Sequence, residues 1–398
     1  MLAALLLQSG YNATLVTLGA TLLGIAAGIG GTFLFLRKRA LVSDAISHAT
    51  LPGVGLAFML SVAIGGSGRE LSILMLGAAA SASLGLACVL WLTRRTRLGE
   101  DAAIGAVLSV FFGFGIVLLT IIQSLQSGQQ AGLESFLLGS TAGMLRNEAW
   151  LLALSAALVL ALVLLMQRPL TLAAFDPEYA AARGMPVGRI DAIMMCLVLA
   201  VTVVGLKIVG LILIVALLII PPVTARFWTD RIGVLVTLAG AFGGLSGWIG
   251  AAASASIPNL PTGPLIVLIA FNFFLFSLLF SPLRGVLASL LSRIRFRKEV
   301  HMRQGLLALA LGQPIYERFT KRLLETQGLM RADGLATEDG RARAAKALRD
   351  EHRWSAIRAD AAYAQAAARY DGLTEIESVL TVDEIAEIDA RIEKARPI

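Results

Sequence analysis

The sequence is poor in the residues that form covalent or thiolate cross-links, and it is poor in charge. Only 2 of its 398 residues are cysteine, 3 are histidine, and 15% are charged. Cys88 and Cys196 both lie in apolar runs without a CxxC or Cys/His cluster, so we expect neither a disulfide nor a thiolate zinc site. No GxxxxGKS/T phosphate loop and no Gly-Lys dipeptide occurs, which excludes nucleotide hydrolysis through a P-loop of this chain.

Apolar residues dominate instead, at 57% of the sequence, with a mean hydropathy of +0.77. These values are typical of a polytopic membrane protein. Residues 1–282 carry 14 of the 34 Lys and Arg and 10 of the 27 Asp and Glu, although they form most of the chain. We therefore predict a membrane domain at 1–285 and a charged cytoplasmic domain at 286–398. The MLAALLLQSG start lacks the features of a signal peptide, and we expect it in the mature protein.

Apolar segments long enough to cross a bilayer, about 20 residues each, predict an all-α protein with about nine transmembrane helices. Two of them are short and are interrupted only around Gly205-Leu206-Lys207. The predicted spans are 14–36, 47–64, 71–92, 102–122, 147–167, 189–206, 208–225, 232–252 and 263–281.

Basic residues in the connecting loops predict the orientation, because short cytoplasmic loops are enriched in Lys and Arg. With the tail inside, the inner loops hold Arg37, Lys38, Arg39, Arg94, Arg95, Arg97, Arg168, Arg183, Arg189, Arg226 and Arg231, whereas the outer loops hold Arg69, Arg146 and Lys207. The net charge of +7 is therefore no sign of nucleic-acid binding. Outside, LESFLL within 123–146 predicts an interfacial or re-entrant piece, and the Pro-containing 253–264 loop is either a plain turn or a gate.

Asp44 and His48, in SDAISHATLPG, are the candidate ligands of a metal ion. His48 is the only histidine in the first 300 residues, and positions i and i+4 share one helix face. The alternative is an interfacial Asp with a satisfied His, but ionisable residues inside a membrane are functional candidates. Carboxylate and imidazole suit Mn²⁺, Fe²⁺ or Zn²⁺. A second subunit, carbonyls or water must complete the site, and we expect Pro52-Gly53 to loosen the helix and free carbonyls.

The loop at 168–189, RPLTLAAFDPEYAAARGMPVGR, predicts a compact helix between two spans. Asp176-Pro177 begins it, Glu178 lies near its positive end, and Gly184 ends it.

Several separated motifs resemble the permease subunits of ABC transporters that take up zinc, manganese or iron: SDAISHATLPGVGLAFML, GLESFLLGS, FDPEYAAARGMPVGRIDA and VVGLILIVALLIIPPVTAR. The resemblance covers about residues 14–282. It implies that Asp176, Pro177, Glu178, Ala181 and Gly184 form a coupling helix docking onto a separate ATPase, and that Asp44 and His48 lie on the metal pathway. It also implies an extracytoplasmic metal-binding protein, a second permease subunit (a copy or a paralogue), and alternating access in the cell membrane driven by ATP.

The tail, from RFTKRLLETQGLMRADGLATEDGRARAAKALRDEHRWSAIRAD onward, weakly resembles the winged helix of metal-dependent repressors. His352 matches a metal-ligand position of that family, and Glu377 matches one member of a later ligand cluster. One hypothesis is thus a regulatory metal sensor; we favour a docking domain for the ATPase or the partner permease. DNA binding is disfavoured because basic and acidic residues interleave along the tail.

Our leading interpretation is an import permease, not an enzyme, for Mn²⁺ or Fe²⁺, with Zn²⁺ next, which holds no permanent cofactor. Two alternatives remain open. A permease for a metal chelate or corrinoid would line a wide pathway without an Asp/His pair. A secondary metal transporter would need no ATPase and would use the tail as a sensor.

Overall fold

The computed structural model describes residues 6, 8, 10–66, 70–124, 146–257 and 260–394. The chain divides into two compact units, Met1–Val286 and Leu287–Ile398, called here the membrane unit and the tail unit. The LESFLL stretch that we predicted to be interfacial lies outside the described residues, as do Pro258 and Asn259 of the 253–264 loop.

Each of the nine predicted apolar segments coincides with a helix of the membrane unit. Among the residues described, eight helices are long and apolar enough to cross a membrane, and a ninth, α8, is shorter. The helices are α1 Tyr11–Leu36, α2 Ala40–Ala63, α3 Leu71–Arg95, α4 Glu100–Ser124, α5 Arg146–Phe175, α6 Pro177–Ala182, α7 Val187–Val209, α8 Leu211–Arg226, α9 Ile232–Ser256 and α10 Thr262–Phe280. The all-α membrane fold predicted from the sequence is confirmed.

The break between α7 and α8 lies at Gly210, so the prediction of a break around Gly205-Leu206-Lys207 was wrong. Gly210 has φ +83°, a left-handed conformation that favours glycine. Gly205 remains inside α7, where a Cβ would lie 2.5 Å from Ile214 Cδ1. Its role is therefore to admit the Ile214 side chain. With 16 residues, α8 is about 24 Å long, less than the ~30 Å of a bilayer core.

Helices α1 and α9 pack backbone against backbone along a line of small residues, called here the glycine seam (Gly24, Gly28, Gly243 and Gly247). A Cβ at Gly24 would lie 2.1 Å from Gly243 O, and one at Gly247 would lie 2.2 Å from Ala20 O. Small residues permit this approach, which is a main source of helix association in membranes. The seam brings the first and ninth helices into direct contact.

Helix α2 runs from Ala40 to Ala63 without a break at Pro52-Gly53, and the expectation that Pro52 frees a carbonyl stays a prediction. Gly53 packs against α3 instead: a Cβ there would lie 2.0 Å from Gly77 O. On α4, Gly115 makes room for the Pro52 turn, since a Cβ at Gly115 would lie 2.6 Å from Leu51 Cβ. Pro52 lacks an N–H and so removes the helical hydrogen bond to His48 O, but close packing on both sides keeps the helix intact.

The tail unit is also helical. Its elements are α11 Val286–Ala310, α12 Arg318–Thr326, α13 Glu338–Ala359, a 3₁₀ turn Ala361–Tyr363, α14 Ala364–Ala367, a second 3₁₀ turn Ile376–Ser378, and α15 Val382–Lys394. An isolated antiparallel bridge joins Met330 to Ala336 across the turn at Gly334, which has φ +86°. Trp354 is fully buried in the core beside Ile357, Ile376 and Ile388.

Candidate functional site

The structure brings Asp44 and His48 together one turn apart on α2. Their side chains meet at 3.3 Å between His48 Nε2 and Asp44 Oδ1. Both lie inside the helix, because α2 begins at Ala40. Their i and i+4 positions place the carboxylate and the imidazole on one face, as the spacing predicted.

The surroundings of the pair are mostly apolar or internally satisfied. The His48 ring lies edge-on to Phe112 of α4, with centroids 4.9 Å apart. On the buried face of α2, Ser47 Oγ donates to Ser43 O at 2.8 Å and Thr50 Oγ1 donates to Ser47 O at 2.6 Å. These hydroxyls are bonded to their own helix. On this part of α2, Asp44 and His48 are therefore the side chains that retain polar atoms able to bind a ligand.

The pair is chemically incomplete. His48 Nδ1 is buried and has no hydrogen-bond partner, whereas the Asp44 side chain is 36% exposed. Among the described residues, no group of three or more His, Cys, Asp or Glu side chains is arranged to hold a metal ion. A carboxylate and an imidazole offer two ligands of the type that Mn²⁺, Fe²⁺ and Zn²⁺ accept, and the remaining ligands must come from outside this set of side chains.

A second ionisable group, called here the Arg37 cluster, joins four helices at one end of the membrane unit; its members are Arg37, Arg39, Glu100 and Asp191. Asp191, near the start of α7, pairs with Arg37 and lies 3.2 Å from Arg39 Nη1. Arg39 Nε also pairs with Glu100 Oε1 at 2.7 Å. Arg37 Nη1 donates to Ala173 O near the end of α5 at 2.7 Å, and Arg37 Nε is buried without a partner. Two guanidinium groups are thereby matched to two carboxylates.

The Arg37 cluster was not predicted, because the pairs are about 60 to 150 residues apart in the chain. Its carboxylates border a cavity of about 360 Å³ lined also by Arg39, Thr93 and Arg94. The Arg37–Ala173 hydrogen bond and this cavity place three loops at the same end of the helices. These loops, which we predicted to be cytoplasmic, are 37–39, 94–97 and 168–189. One feature of the sequence does point to Asp191. It is an acidic residue at the start of a predicted span, directly after a loop rich in arginine.

Helix α6 begins and ends where the sequence predicted. Asp176 is its N-cap, with Oδ1 accepting from Tyr179 N at 2.9 Å, and Pro177 is its first residue. Gly184 has φ +77°, and Met185 N donates to Ala180 O at 3.0 Å. This closure satisfies the last carbonyls of the helix. Asp176, Pro177 and Gly184 therefore shape the helix.

The outer surface of α6 carries the side chains available to a partner. Glu178 and Ala181 are exposed, as are Tyr179 and Arg183. Arg183 Nε donates to Tyr179 Oη at 3.0 Å, and its guanidinium lies 5.4 Å from the Tyr179 ring centroid. Phe175 just before the helix is 57% exposed. Sequence reasoning missed Phe175, Tyr179 and Arg183, although aromatic and arginine side chains are common at interfaces.

In the tail unit, the candidate regulatory ligands have different surroundings. His352 is exposed on α13. Glu377 Oε1 lies 3.2 Å from Lys346 Nζ, and this hydrogen bond raises the pKa of Lys346. Both side chains are more than half exposed, so this pair contributes little and leaves Glu377 accessible. The sensor role of His352 and Glu377 stays a prediction.

The chain is similar to known membrane transport proteins. A family model described as the ABC 3 transport family matches residues 11–281. The manganese transport system membrane protein MntC of Bacillus subtilis (strain 168) is 41% identical over 313 residues, covering 79% of this chain and 69% of that protein. The zinc transport system membrane protein TroC of Treponema pallidum (strain Nichols) is 40% identical, covering 74% of this chain and 97% of that protein.

A solved structure is similar as well. PsaBC from Streptococcus pneumoniae in complex with Fab matches with a TM-score of 0.61 and 30% identity, covering 71% of this chain and 98% of that chain. The match to the family model contains the Asp44–His48 pair, the Arg37 cluster and α6, and it ends before the tail unit.

Proposed function

Because the chain belongs to the ABC 3 transport family, as a multi-pass permease subunit of a metal-importing ABC transporter, we propose that Asp44 and His48 bind the transported ion in passing. The cargo is Mn²⁺ or Fe²⁺, with Zn²⁺ next. The relatives named for manganese and for zinc transport are both consistent with this choice. The ion is a substrate here, and the chain needs no resident cofactor.

The observation that carries the proposal is the incomplete Asp44–His48 pair. An imidazole nitrogen and a carboxylate oxygen 3.3 Å apart present lone pairs to one point of a largely apolar helix. Ionisable groups in a membrane are costly and persist where function requires them. Two ligands from one chain do not complete the coordination sphere of such an ion, so further ligands must join them when it binds.

The remaining ligands come from a second permease subunit, from backbone carbonyls or from water. The exposed side of Asp44 supports the first source, since another subunit can approach it without displacing part of this chain. We propose that two permeases, either two copies or a copy and a paralogue, enclose the pathway between them.

An ABC permease works with an ABC ATPase and a substrate-binding protein, and this chain has no P-loop of its own. We propose that α6 docks onto the ATPase on the cytoplasmic side. Asp176, Pro177 and Gly184 would fix its shape, while Glu178, Tyr179, Ala181 and Arg183 meet the partner. The arginine-rich loops, and the basic run that follows the last span, favour a cytoplasmic C-terminus in the cell membrane. The metal-binding protein would then meet the opposite, extracytoplasmic face.

The tail unit acts as a docking domain in this proposal. Among the described residues, neither His352 nor Glu377 belongs to a group of three or more His, Cys, Asp or Glu side chains that could hold a metal ion, which favours docking over metal sensing. Binding of nucleic acid remains disfavoured, because acidic and basic side chains alternate in ion pairs such as Arg303–Glu351 and Arg353–Asp389.

The test uses the assembled transporter, with its ATPase and binding protein, in proteoliposomes. Asp44→Asn and His48→Gln should lower uptake of radioactive Mn²⁺, Fe²⁺ and Zn²⁺ while the complex still assembles and hydrolyses ATP. Ser47→Ala is the matched control, because Ser47 lies on the same helix with its hydroxyl bonded to Ser43 O. Normal uptake of every ion by both variants would exclude the pair from the pathway. Uptake without ATP would instead favour a secondary transporter, and uptake of a chelate alone would favour a chelate permease.

A further inference from the structure

Helix α11 has two halves with different surroundings. Its second half packs into the tail unit: a Cβ at Gly305 would lie 2.8 Å from Leu324 Cδ1, and Met302 and Leu306 contact the core that Leu324 helps to form. Its first half makes no such core. Every residue from 289 to 299 is exposed.

Four apolar side chains of this first half form one stripe, called here the Leu287 stripe. Leu287, Leu290, Leu291 and Ile294 are 47%, 49%, 47% and 52% exposed. Their spacing of three, one and three residues places them on a single face of an α-helix. Large apolar side chains aligned on an exposed face mark a site of association rather than scattered surface leucines.

The same half carries a concentrated positive charge. Arg293, Arg295, Arg297 and Lys298 lie within six residues, and no Asp or Glu occurs anywhere from residue 231 to 298. On the helix, Arg293 and Arg297 flank one side of the stripe, and Arg295 flanks the other. Arg297 is partly engaged, since its guanidinium lies 4.7 Å from the Phe319 ring centroid. An apolar face with basic flanks is typical of helices that lie at a membrane surface.

Chain connectivity keeps the Leu287 stripe close to the bilayer. The last apolar span, α10, ends at Phe280, and the stripe begins at Leu287. Seven residue steps reach at most about 25 Å when fully extended. The connection is shorter than that, because Gly285 N donates to Ser281 O at 3.0 Å in a turn. The stripe therefore lies within reach of the headgroups next to α10.

We propose that the first half of α11, residues 286–298, lies on the membrane surface and binds anionic lipid headgroups, with the Leu287 stripe in the acyl boundary and Arg293, Arg295 and Lys298 on the phosphates. The charge favours an anionic lipid surface as the partner. Residues 286–298 carry four basic side chains and no acidic one, and the bilayer surface next to the end of α10 is the negatively charged surface within reach. A half-helix of this length is marginal in water on its own, so the lipid surface also stabilises it. The inference goes beyond transport and requires only that the helix follow a membrane span.

The experiment uses the full transporter complex in nanodiscs of phosphatidylcholine, with or without phosphatidylglycerol. A nitroxide label is attached at Leu290→Cys in a chain carrying Cys88→Ala and Cys196→Ala. Its collision rates with oxygen, which enters lipid, and with a water-soluble nickel chelate report the depth of the label. Phe296→Cys is the matched control, because Phe296 is similarly exposed and projects from the opposite face of the helix.

With phosphatidylglycerol present, the label at 290 should show an oxygen-to-nickel ratio several-fold higher than the label at 296. Arg293→Gln, Arg295→Gln and Lys298→Gln should lower the ratio of docked to undocked helix by about fivefold per charge, and added salt should act in the same direction. Burial of the label that persists without phosphatidylglycerol and in the neutralised variant would overturn the proposal in favour of a protein partner. A label that remains in water under all conditions would also overturn it, whatever the transport activity.

Discussion

Two sets of ionisable side chains in the membrane unit, the Arg37 cluster and the Asp44–His48 pair, differ in how the chain itself pairs them. In the Arg37 cluster, two carboxylates meet two guanidinium groups, and the Arg37 and Asp191 side chains are only 12% and 13% exposed. In the Asp44–His48 pair, the carboxylate meets one imidazole, and His48 Nδ1 has no partner. Each set leaves one buried nitrogen without a partner, Arg37 Nε or His48 Nδ1, so the difference lies in the carboxylates: those of the Arg37 cluster are shared between two guanidinium groups across helices, whereas the Asp44 carboxylate meets one imidazole of its own helix and is 36% exposed. We therefore expect the first set to hold helices together and the second to be open to a ligand.

The largest expected effect is a loss of folding stability when a carboxylate of the Arg37 cluster is removed. Asp191→Ala leaves Arg37 and Arg39 without their shared carboxylate, and removing one partner of a buried ion pair typically costs about 3–5 kcal/mol. We expect a matching loss in the free energy of unfolding, measured by denaturation of the purified membrane protein in mixed micelles. Asp44→Ala should cost less than about 1 kcal/mol, as for an exposed pair.

Asp230→Ala is the control for Asp191→Ala. Asp230 also meets two arginines, with Oδ1 at 3.0 Å from Arg226 Nη1 and 2.6 Å from Arg284 Nη2, but its side chain is 59% exposed. Its loss should cost about 1 kcal/mol or less. If Asp191→Ala, Asp44→Ala and Asp230→Ala destabilise the protein equally, the Arg37 cluster has no special part in holding the helices together.

The second prediction concerns selectivity at the incomplete pair. His48→Asp replaces an imidazole by a harder carboxylate, which favours Mn²⁺ over Zn²⁺. The Mn²⁺-to-Zn²⁺ uptake ratio should therefore rise, on the order of tenfold, in competition assays with both isotopes. Because the new carboxylate lies at i+4 from Asp44, the variant should also lose some stability without bound metal, so the ratio is measured on complexes that assemble. An unchanged ratio with normal total uptake would mean that His48 does not contact the ion.

The third prediction measures coupling within the Arg37 cluster. Arg39 and Glu100 are in direct contact at 2.7 Å, so Arg39→Gln and Glu100→Gln should be non-additive by about 1 kcal/mol in a double-mutant cycle. Arg39→Gln combined with Asp230→Asn serves as the control cycle and should be additive within about 0.5 kcal/mol. Additivity in the first cycle would show that the Arg39–Glu100 contact contributes nothing to the cluster.

The smallest expected effect lies in the tail unit, where paired carboxylates face water. Hydrogen bonds from Arg353 lower the pKa of Asp389, and those from Arg303 lower the pKa of Glu351. Because the folded-state pKa values are below the unfolded ones, about 3.9 and 4.3, this stabilisation is present above those values and is lost as pH falls through the folded ones. Hydrogen exchange of peptides around Trp354, corrected for intrinsic rates, should speed up at acid pH.

Arg353→Gln should make that acid sensitivity smaller, because the pKa of Asp389 then returns toward its unfolded value. Arg343→Gln is a suitable comparison, since Arg343 is exposed on the same helix and its loss leaves the hydrogen bonds of Arg353 to Asp389 intact. An acid response of the same size in wild type and Arg353→Gln would contradict the assignment.

Local patterns were enough to predict the helices but not the contacts between them. Hydropathy located all nine apolar segments, and the Asp176-Pro177 start and the Gly184 stop of α6 followed from capping chemistry. The glycine that separates α7 from α8 could not be identified from the local pattern, because Gly205 and Gly210 both lie in apolar sequence and only the structure shows that Gly210 has a left-handed backbone while Gly205 packs inside α7. The Arg37 cluster depends on pairs of residues about 60 to 150 positions apart. Asp191 could be noted as an acid at the start of a span, but its arginine partners could not be identified from one sequence.

The glycine seam has a consequence for biosynthesis. Its two helices are far apart in the chain, so α1 is complete roughly 220 residues before α9 is. At about 5–20 residues per second, the small-residue face of α1 waits about 10–40 s for its partner. Helices associate in the bilayer after they are inserted, and during this interval other helices compete for the same face. This backbone-to-backbone contact is therefore among the last to form in the membrane unit, and a chain stalled before α9 lacks it.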